Sequence, residues 1–443
     1  MAPKLVSVES DETLPASADV VVIGGGIIGV STAMFLAERG IRCVVCEKGH
    51  VAGEQSGRNA GWVRQQGRDV REVELSMASL RLWKEIDARL SGATGFATCG
   101  SFYGFREEKE LAQYADWMAK AKACGLHFEI VGSDRIAEIA PSLERSHPVG
   151  LFTPGDGRAE PQKAAPAIAR YARSIGVTLL QNCAVTGIEL SNGGVSGVRT
   201  ERGPIACGEI VVAAGAWSSL LCRSIGVRLP QLKALVSMAK TNVLENAPQA
   251  SVWVEGLSSR RCEDGRYCVE HGGHYVADIV PDSFRFLKDF RPLLAKEVTH
   301  MKLRLGARML TELGYERWWS RKTASPFEKE RMLDPPPMPR IIDAVAPRMR
   351  RLFEALGDIS YTETWAGYVD VTPDVVPVIC RVPEIPGLVL STGYSGHGFG
   401  LGLGAGHLTA DIVSGAPPIA DPSEFDLIRF EPGHRSKTRL SHI

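Results

Sequence analysis

The sequence predicts an α/β fold in two interleaved lobes, on three observations. A strand–helix–strand unit opens the chain, helical and strand patterns then alternate without an internal repeat, and further buried-strand runs ending in glycine recur far downstream. At 443 residues the chain is too long for one simple core, so two lobes are expected. Hydrophobic residues at 44% and charged residues at 23% are ordinary soluble usage, which calls for a packed core and excludes wholesale disorder.

The opening unit carries the most information. Asp19-Val20-Val21-Val22-Ile23 has a buried-strand pattern and runs directly into Gly24-Gly25-Gly26-Ile27-Ile28-Gly29. A helix is expected from Ile27 to Arg39, with Val30, Ala33, Met34 and Ala37 at helical spacing and Gly40 as C-terminal cap. The next strand, Ile41 to Cys46, ends at Glu47. Gly24 permits the tight turn, Gly26 lets a pyrophosphate approach the backbone, and Gly29 lets helix and strand pack closely. The helix N-terminus attracts phosphate. Glu47 is placed for ribose hydroxyls, and a carboxylate there argues against a 2′-phosphate and hence against NADP. This is a dinucleotide fingerprint in full context. It does not by itself separate NAD from FAD.

Further along, helices are expected at 70–90, 109–124 and 161–175, and strands at 150–153, 177–190 and 194–201. Glu209 to Ala214 and Leu388 to Thr392 read as deeply buried strands before Gly215 and Gly393. Between Phe284 and Leu313, the residues Leu287, Phe290, Leu294, Val298, Met301, Leu305 and Met309 recur every three or four positions with Lys and Arg between them, which predicts one amphipathic helix. Such a helix covers a core or, less commonly, makes peripheral contact with a membrane. Val252 to Val269 reads as a hairpin closed around Glu263-Asp264-Gly265-Arg266, and Asp334-Pro335-Pro336-Pro337-Met338-Pro339 as a stiff connector.

Bulk chemistry narrows the partners. Lys plus Arg equals Asp plus Glu at 51 each, so no electrostatic case exists for nucleic acid, and a small-molecule partner is expected. Ten scattered cysteines without a Cys/His cluster at zinc spacing indicate no metal and no disulfide framework, and read as reduced cytoplasmic thiols. Glu9, Asp11 and Glu12 in the leader do not fit a secretory signal, and no run is long and apolar enough to span a membrane.

Three distant stretches decide the cofactor. They are Glu54-Gln55-Ser56-Gly57-Arg58-Asn59-Ala60-Gly61, Val211-Val212-Ala213-Ala214-Gly215-Ala216-Trp217, and Ser391-Thr392-Gly393-Tyr394-Ser395-Gly396-His397-Gly398-Phe399-Gly400. With the fingerprint, in this order, they make the chain from Val20 to about Gly415 resemble the D-amino acid oxidase superfamily of FAD enzymes. Its members include glycine oxidase, sarcosine oxidase, D-amino acid dehydrogenase and the bacterial L-amino acid deaminases. The resemblance implies a Rossmann-like FAD-binding domain (residues 19–100, 150–230 and 360–420) and an α+β substrate domain on a large mixed or antiparallel sheet (101–149 and 231–359). Residues 1–18 and 421–443 are then polar extensions.

It also implies FAD held without a covalent bond, since Gly367 stands where sarcosine oxidase uses a cysteine. The expected cofactor set is Gly24, Gly26, Ile27, Ile28, Gly29, Glu47 and Lys48; Ser56, Arg58, Asn59, Ala60 and Gly61; Val185; Ala214, Gly215 and Trp217; Gly367; and Gly393, Ser395, Gly396, His397 and Gly398. The glycine-rich turn before a helix would stabilise negative charge on the pyrimidine edge of reduced flavin.

The implied reaction is oxidation of the C–N bond of an amino acid or a secondary or cyclic amine to an imine by hydride transfer to flavin N5, then hydrolysis, with O2 or a quinone as electron acceptor. One departure matters. Where many members carry an arginine-proline pair that binds the substrate carboxylate, this chain has Val369-Asp370. Replacement anchors are Arg64, Gln65, Gln66, Arg260 and Arg261, with Arg260 foremost; His397 and Tyr394 are the other catalytic candidates, and Trp365 a wall of the pocket. The alternative is an FAD enzyme acting on a hydroxy acid, or a flavin subunit of a multi-component dehydrogenase.

Overall fold

The computed structural model describes residues 2–272, 275–298, 300–318 and 324–431. The opening strand, Val20–Ile23, lies inside a six-stranded sheet ordered Val378–Arg381, Leu388–Thr392, Glu209–Val212, Val20–Ile23, Cys43–Cys46 and Thr178–Leu180. Five of these strands run parallel; only the edge strand Val378–Arg381 is antiparallel to its neighbour. The near-continuous Val/Ile runs suit a parallel sheet because both faces are buried. Val21 and Val22 are completely inaccessible.

One face of this sheet carries the helices Ile27–Ala37, Pro161–Ser174 and Gly398–Ser414, with Val73–Arg89 packed on the last. The Gly398–Ser414 helix is glycine-rich for a steric reason. A Cβ at Gly402 would lie 2.6 Å from Ile27 Cγ1, one at Gly404 2.9 Å from the Leu75 carbonyl oxygen, and one at Gly406 2.5 Å from Ser31 Cβ. Each glycine lets a neighbouring helix approach closer than any side chain allows.

A ten-stranded sheet forms the second lobe, in the order Met301–Arg304, Tyr275–Asp278, Leu232–Val243, Arg266–His271, Leu257–Arg261, Ser251–Val254, Ser101–Phe105, Val149–Thr153 and Glu129–Gly132. Tyr361–Val371 pairs along the other edge of Leu232–Val243, with Leu235 opposite Tyr368. Val149–Thr153 and Tyr361–Val371 therefore belong to this sheet, although the sequence boundaries put most of both in the dinucleotide lobe.

Two element predictions need correction. The stretch 284–313 is not one helix but two short helices, Pro281–Arg285 and Leu287–Glu297, then the strand Met301–Arg304 and the helix Ala307–Trp318. The free edge of Tyr275–Asp278 captures Met301–Arg304 in parallel pairing, Pro292 sits inside the second helix, and Gly306 precedes the last. Residues of the supposed apolar stripe stand outside, Val298 at 65% and Leu305 at 72% exposure. The hairpin 252–269 is a three-stranded meander, because Glu255 (φ +48°) and Gly256 (φ +72°) make an extra tight turn. The proline run is an irregular connector that ends at Pro339, in the first turn of the helix Pro339–Leu352.

The leader is tied to the surface by backbone bonds from Val6 to Gln162, Asp11 to Leu179 and Ala18 to Ala206. All ten cysteines are free thiols, and no described helix is long and apolar enough to cross a membrane.

Candidate active site

A cavity of about 830 Å³ opens where the carboxyl ends of the parallel strands face the large sheet. Ligand sites of open α/β sheets occur at that end of the strands. Its floor is the fingerprint. Gly24 has φ +114°, and a Cβ there would sit 2.4 Å from the Ala213 carbonyl oxygen; one at Gly29 would sit 2.0 Å from the Gly24 carbonyl oxygen. Gly29 thus serves the close packing and does not line the cavity, whereas Gly24, Gly26, Ile27 and Ile28 do. Ile27 N–H donates to Ser56 Oγ at 2.8 Å, which fixes the loop Glu54–Gly61 over the helix N-terminus.

Glu47 accepts the N–H groups of Gly25 and Gly49, both at 2.7 Å, and burial pushes its carboxyl up. Beside it, the Lys48 ammonium lies 4.1 Å from the Trp217 ring centroid and 3.1 Å from Glu54, which also accepts from Trp217 Nε1 at 3.0 Å. Val185, Ala214 and Gly215 close the same end.

The middle of the cavity is governed by Arg58. Its Nε donates to the Gly53 carbonyl and its Nη1 to Asp334 and the Ala366 carbonyl, but its buried Nη2 has no partner. Asn59 bonds back to Gln55, Ser56 and Gly61 and holds the loop shape. Gly367 faces this arginine: a Cβ would lie 3.3 Å from Arg58 Cδ.

At the far end, Gly393 (φ +76°), Ser395 (φ +50°) and Gly396 (φ +85°) form a strained turn before the glycine-rich helix. Asp370 is built into that turn. Its carboxylate accepts from Gly393 N–H and Gln231 Nε2, each at 2.9 Å, its carbonyl accepts from Ser395 N–H, and burial raises its pKa. The departure from the arginine-proline pair therefore has a structural use.

The catalytic candidates divide. His397 and Tyr394 line the cavity and are buried. His397 Nδ1 lies 2.9 Å from Glu72 Oε2, and burial lowers its pKa. The Tyr394 hydroxyl pairs with Ser391 Oγ at 2.8 Å. Gln66 is a correction: it is completely buried outside the cavity, donating to the Leu151 carbonyl and accepting from Thr153 Oγ1.

Arg260 is the second correction. It lies in a separate pocket, only 1% exposed, held by Glu160 at 2.8 Å and by the Ala60 carbonyl. It shares a sheet face with Ser258, which does line the main cavity, but it stands one strand pair further along, roughly 7 Å, beyond the wall made by Ala60 and Gly61. Gln65, likewise, is spent on Asp156.

Arg64 does line the cavity, over the rings of Trp62 and Tyr103. Sequence reasoning missed its neighbour Arg68, which is 4% exposed and lines the same space. Its Nε reaches only the Arg64 carbonyl, and its buried Nη1 has no partner. Burial, then Arg64, pulls its guanidinium down to about 10, so it remains a cation at neutral pH. The available signal was the crowding of Arg58, Arg64, Arg68 and Arg71 into one short stretch.

The orphaned Arg58 Nη2, the side-chain-free cradle at Gly24 and Gly26, and the carboxylate at the next strand end all suit a dinucleotide pyrophosphate and ribose. A family model described as FAD dependent oxidoreductase matches residues 19–412. The structure is similar to that of L-amino acid deaminase from Proteus myxofaciens in complex with anthranilate, with 33% identity and a TM-score of 0.92 over 97% of each chain. The sequence is 27% identical over 426 residues to sarcosine oxidase subunit beta of Arthrobacter sp., covering 94% of this chain and 92% of that one. It is also 26% identical over 443 residues to human mitochondrial sarcosine dehydrogenase, of which it spans 42%. The chain belongs to the FAD dependent oxidoreductase family, and FAD is its cofactor.

Proposed function

We propose that this enzyme oxidises the C–N bond of an amino carboxylate, an α-amino acid or its N-alkyl derivative, to an imine that water hydrolyses to an oxo acid and ammonia or an amine. The observation that carries the reading is Arg68, a buried cation in the cavity with an unpartnered Nη1 and no ion-pair carboxylate among the described residues. Burying a charge without a counter-ion costs several kcal/mol. An anionic substrate group offsets that cost, and Arg64 beside it offers a second set of donors.

Trp62, Tyr103, Tyr114, Trp117 and Trp253 line the same part of the cavity and supply an apolar wall. That suits a substrate with a carboxylate at one end and an apolar body, as the anthranilate held by the Proteus myxofaciens deaminase has. FAD, when bound, supplies the two-electron acceptor. The protein's own work is positioning: arginines fix the carboxylate, the aromatic wall excludes water, and the Cα–H bond is presented in one orientation. Non-covalent FAD, a cytoplasmic setting for the free thiols, and O2 or a quinone as acceptor complete the proposal.

An anaerobic titration of the yellow protein with D- and L-amino acids, N-methyl amino acids and cyclic amines tests it. Bleaching by amino carboxylates, and not by the matching amines without a carboxylate, is the expected result; bleaching by hydroxy acids alone would replace it. Arg68→Ala is expected to raise KM for the carboxylate substrate at least tenfold, in line with about 2–5 kcal/mol for truncating one partner of a buried charge pair. An unchanged KM would remove Arg68 from the anchor.

A further inference from the structure

Glu270 is a charged group of the cavity that neither the cofactor set nor the carboxylate anchor uses. Glu270 lies on the strand Arg266–His271, in the row of the large sheet where Trp365 pairs with Met238, Met238 with Glu270, and Glu270 with Ser258. Met238, Glu270 and Ser258 all line the cavity. The neighbouring strands present Met238 and Ser258, and the Ser258 hydroxyl donates to the carboxylate. No residue described forms an ion pair with it. Arg64, which also lines the cavity, is the charged group whose field reaches it; on its own strand, Cys268 shares its face and His271 is the next residue.

A carboxylate in a cavity wall with one hydroxyl donor and no ion-pair partner is expensive, and such groups are kept where a ligand completes them. The cavity thus carries arginines toward one side and an unpaired carboxylate facing them, a charge pattern opposite to that of a zwitterion. We propose that Glu270 receives the protonated amine of the substrate and takes the proton that the amine must lose before its C–N bond can be oxidised. The N–H bond breaks and its electron pair stays on nitrogen as the lone pair. The proton forms an O–H bond on Glu270, so an ammonium and a carboxylate become an amine and a carboxylic acid, with the pocket's net charge unchanged. Burial holds the Glu270 carboxyl above the usual range, which suits it to accept a proton and return it to water when product leaves.

The inference rests on the amine-oxidation reading, and the test separates the two. Calorimetry on the FAD-loaded protein would compare α-methylphenylalanine, which has no Cα–H and is not oxidised, with 2,2-dimethyl-3-phenylpropanoate, in which a methyl group replaces the amine. Glu270→Gln is expected to weaken the first ligand at least tenfold and leave the second unchanged, with FAD content and Tm unaltered. In turnover, the pH optimum of kcat/KM is expected to move up by about one unit or more, because the variant must wait for water to deprotonate the amine; Glu270→Asp should recover part of the shift. Equal weakening of both ligands, or no change in either ligand or in the pH profile, overturns the role of Glu270 and leaves amine oxidation standing. Wild-type protein that binds neither ligand and is not bleached by any amine overturns both.

Discussion

At Gly26 a single Cβ would lie 3.1 Å from Ser56 Oγ, the atom that fixes the loop over the helix N-terminus. Gly26→Val should therefore yield protein that folds but purifies without the yellow colour, read as the ratio of visible to ultraviolet absorbance. A variant that stays yellow would sink the fingerprint assignment. His397 makes a different prediction. Burial lowers its pKa below the ordinary 6.5, so the folded protein prefers the neutral ring. A depressed folded value means that this stability is present above pH 6.5 and is lost as pH falls through the folded value. His397→Asn keeps a donor for Glu72 and removes the titration, so its Tm should decline less steeply than wild type between pH 7 and 5. Residues announced by local spacing, such as Gly24 or Glu47, were legible in the sequence. Arg68 and Glu270 were not, because what marks them is an absent partner, and that is decided by chain segments far away. Gln66 was misread because its sheet neighbours, Leu151 and Thr153, lie beyond any local pattern.

Secondary-structure elements were legible where one periodicity dominated. The first βαβ unit and the helices Val73–Arg89 and Pro161–Ser174 lie within two or three residues of expectation. The run 284–313 failed because an apolar residue every three or four positions also fits a helix–strand–helix succession, and an open sheet edge decided the matter. For Arg260, the hairpin reading put the residue near the right wall, but its access to the cavity depended on where Ala60 and Gly61 close that wall. The structure changes the expectation for this residue from binding to stability. Glu160, 6% exposed, is held by Arg260 and by the Glu263 N–H. Arg260→Ala leaves that carboxylate with Arg158, at 3.4 Å, and the Glu263 N–H, so a loss of about 1–3 kcal/mol is expected in denaturant unfolding, with KM unchanged in the protein that remains folded. The glycine-rich helix gives the complementary case. Gly→Ala normally stabilises a helix interior by about 1 kcal/mol, yet Gly404→Ala should destabilise, because its Cβ would meet the Leu75 carbonyl oxygen at 2.9 Å.

For the whole molecule, the cavity is a meeting place of the first sixty residues, the middle of the chain and its last hundred. A ligand gripped by all of them binds the folded state alone, so stripping FAD should lower Tm, and adding it back should raise Tm with the logarithm of its concentration; about 4 kcal/mol is expected at a thousandfold excess over Kd. A Tm independent of added FAD would mean that FAD does not bind the folded protein in preference to the unfolded chain. The strand order has a further consequence. Val20–Ile23 is made long before Glu209–Val212, one of its neighbours in the sheet, and that strand's own outer neighbour, Leu388–Thr392, comes later still. While the ribosome works through the residues between, an apolar strand waits with an unpaired edge, in the condition that invites aggregation. The yield of this enzyme in a cell should thus depend on translation speed and on chaperones that shield the nascent chain, far more than the stability of the finished protein would suggest.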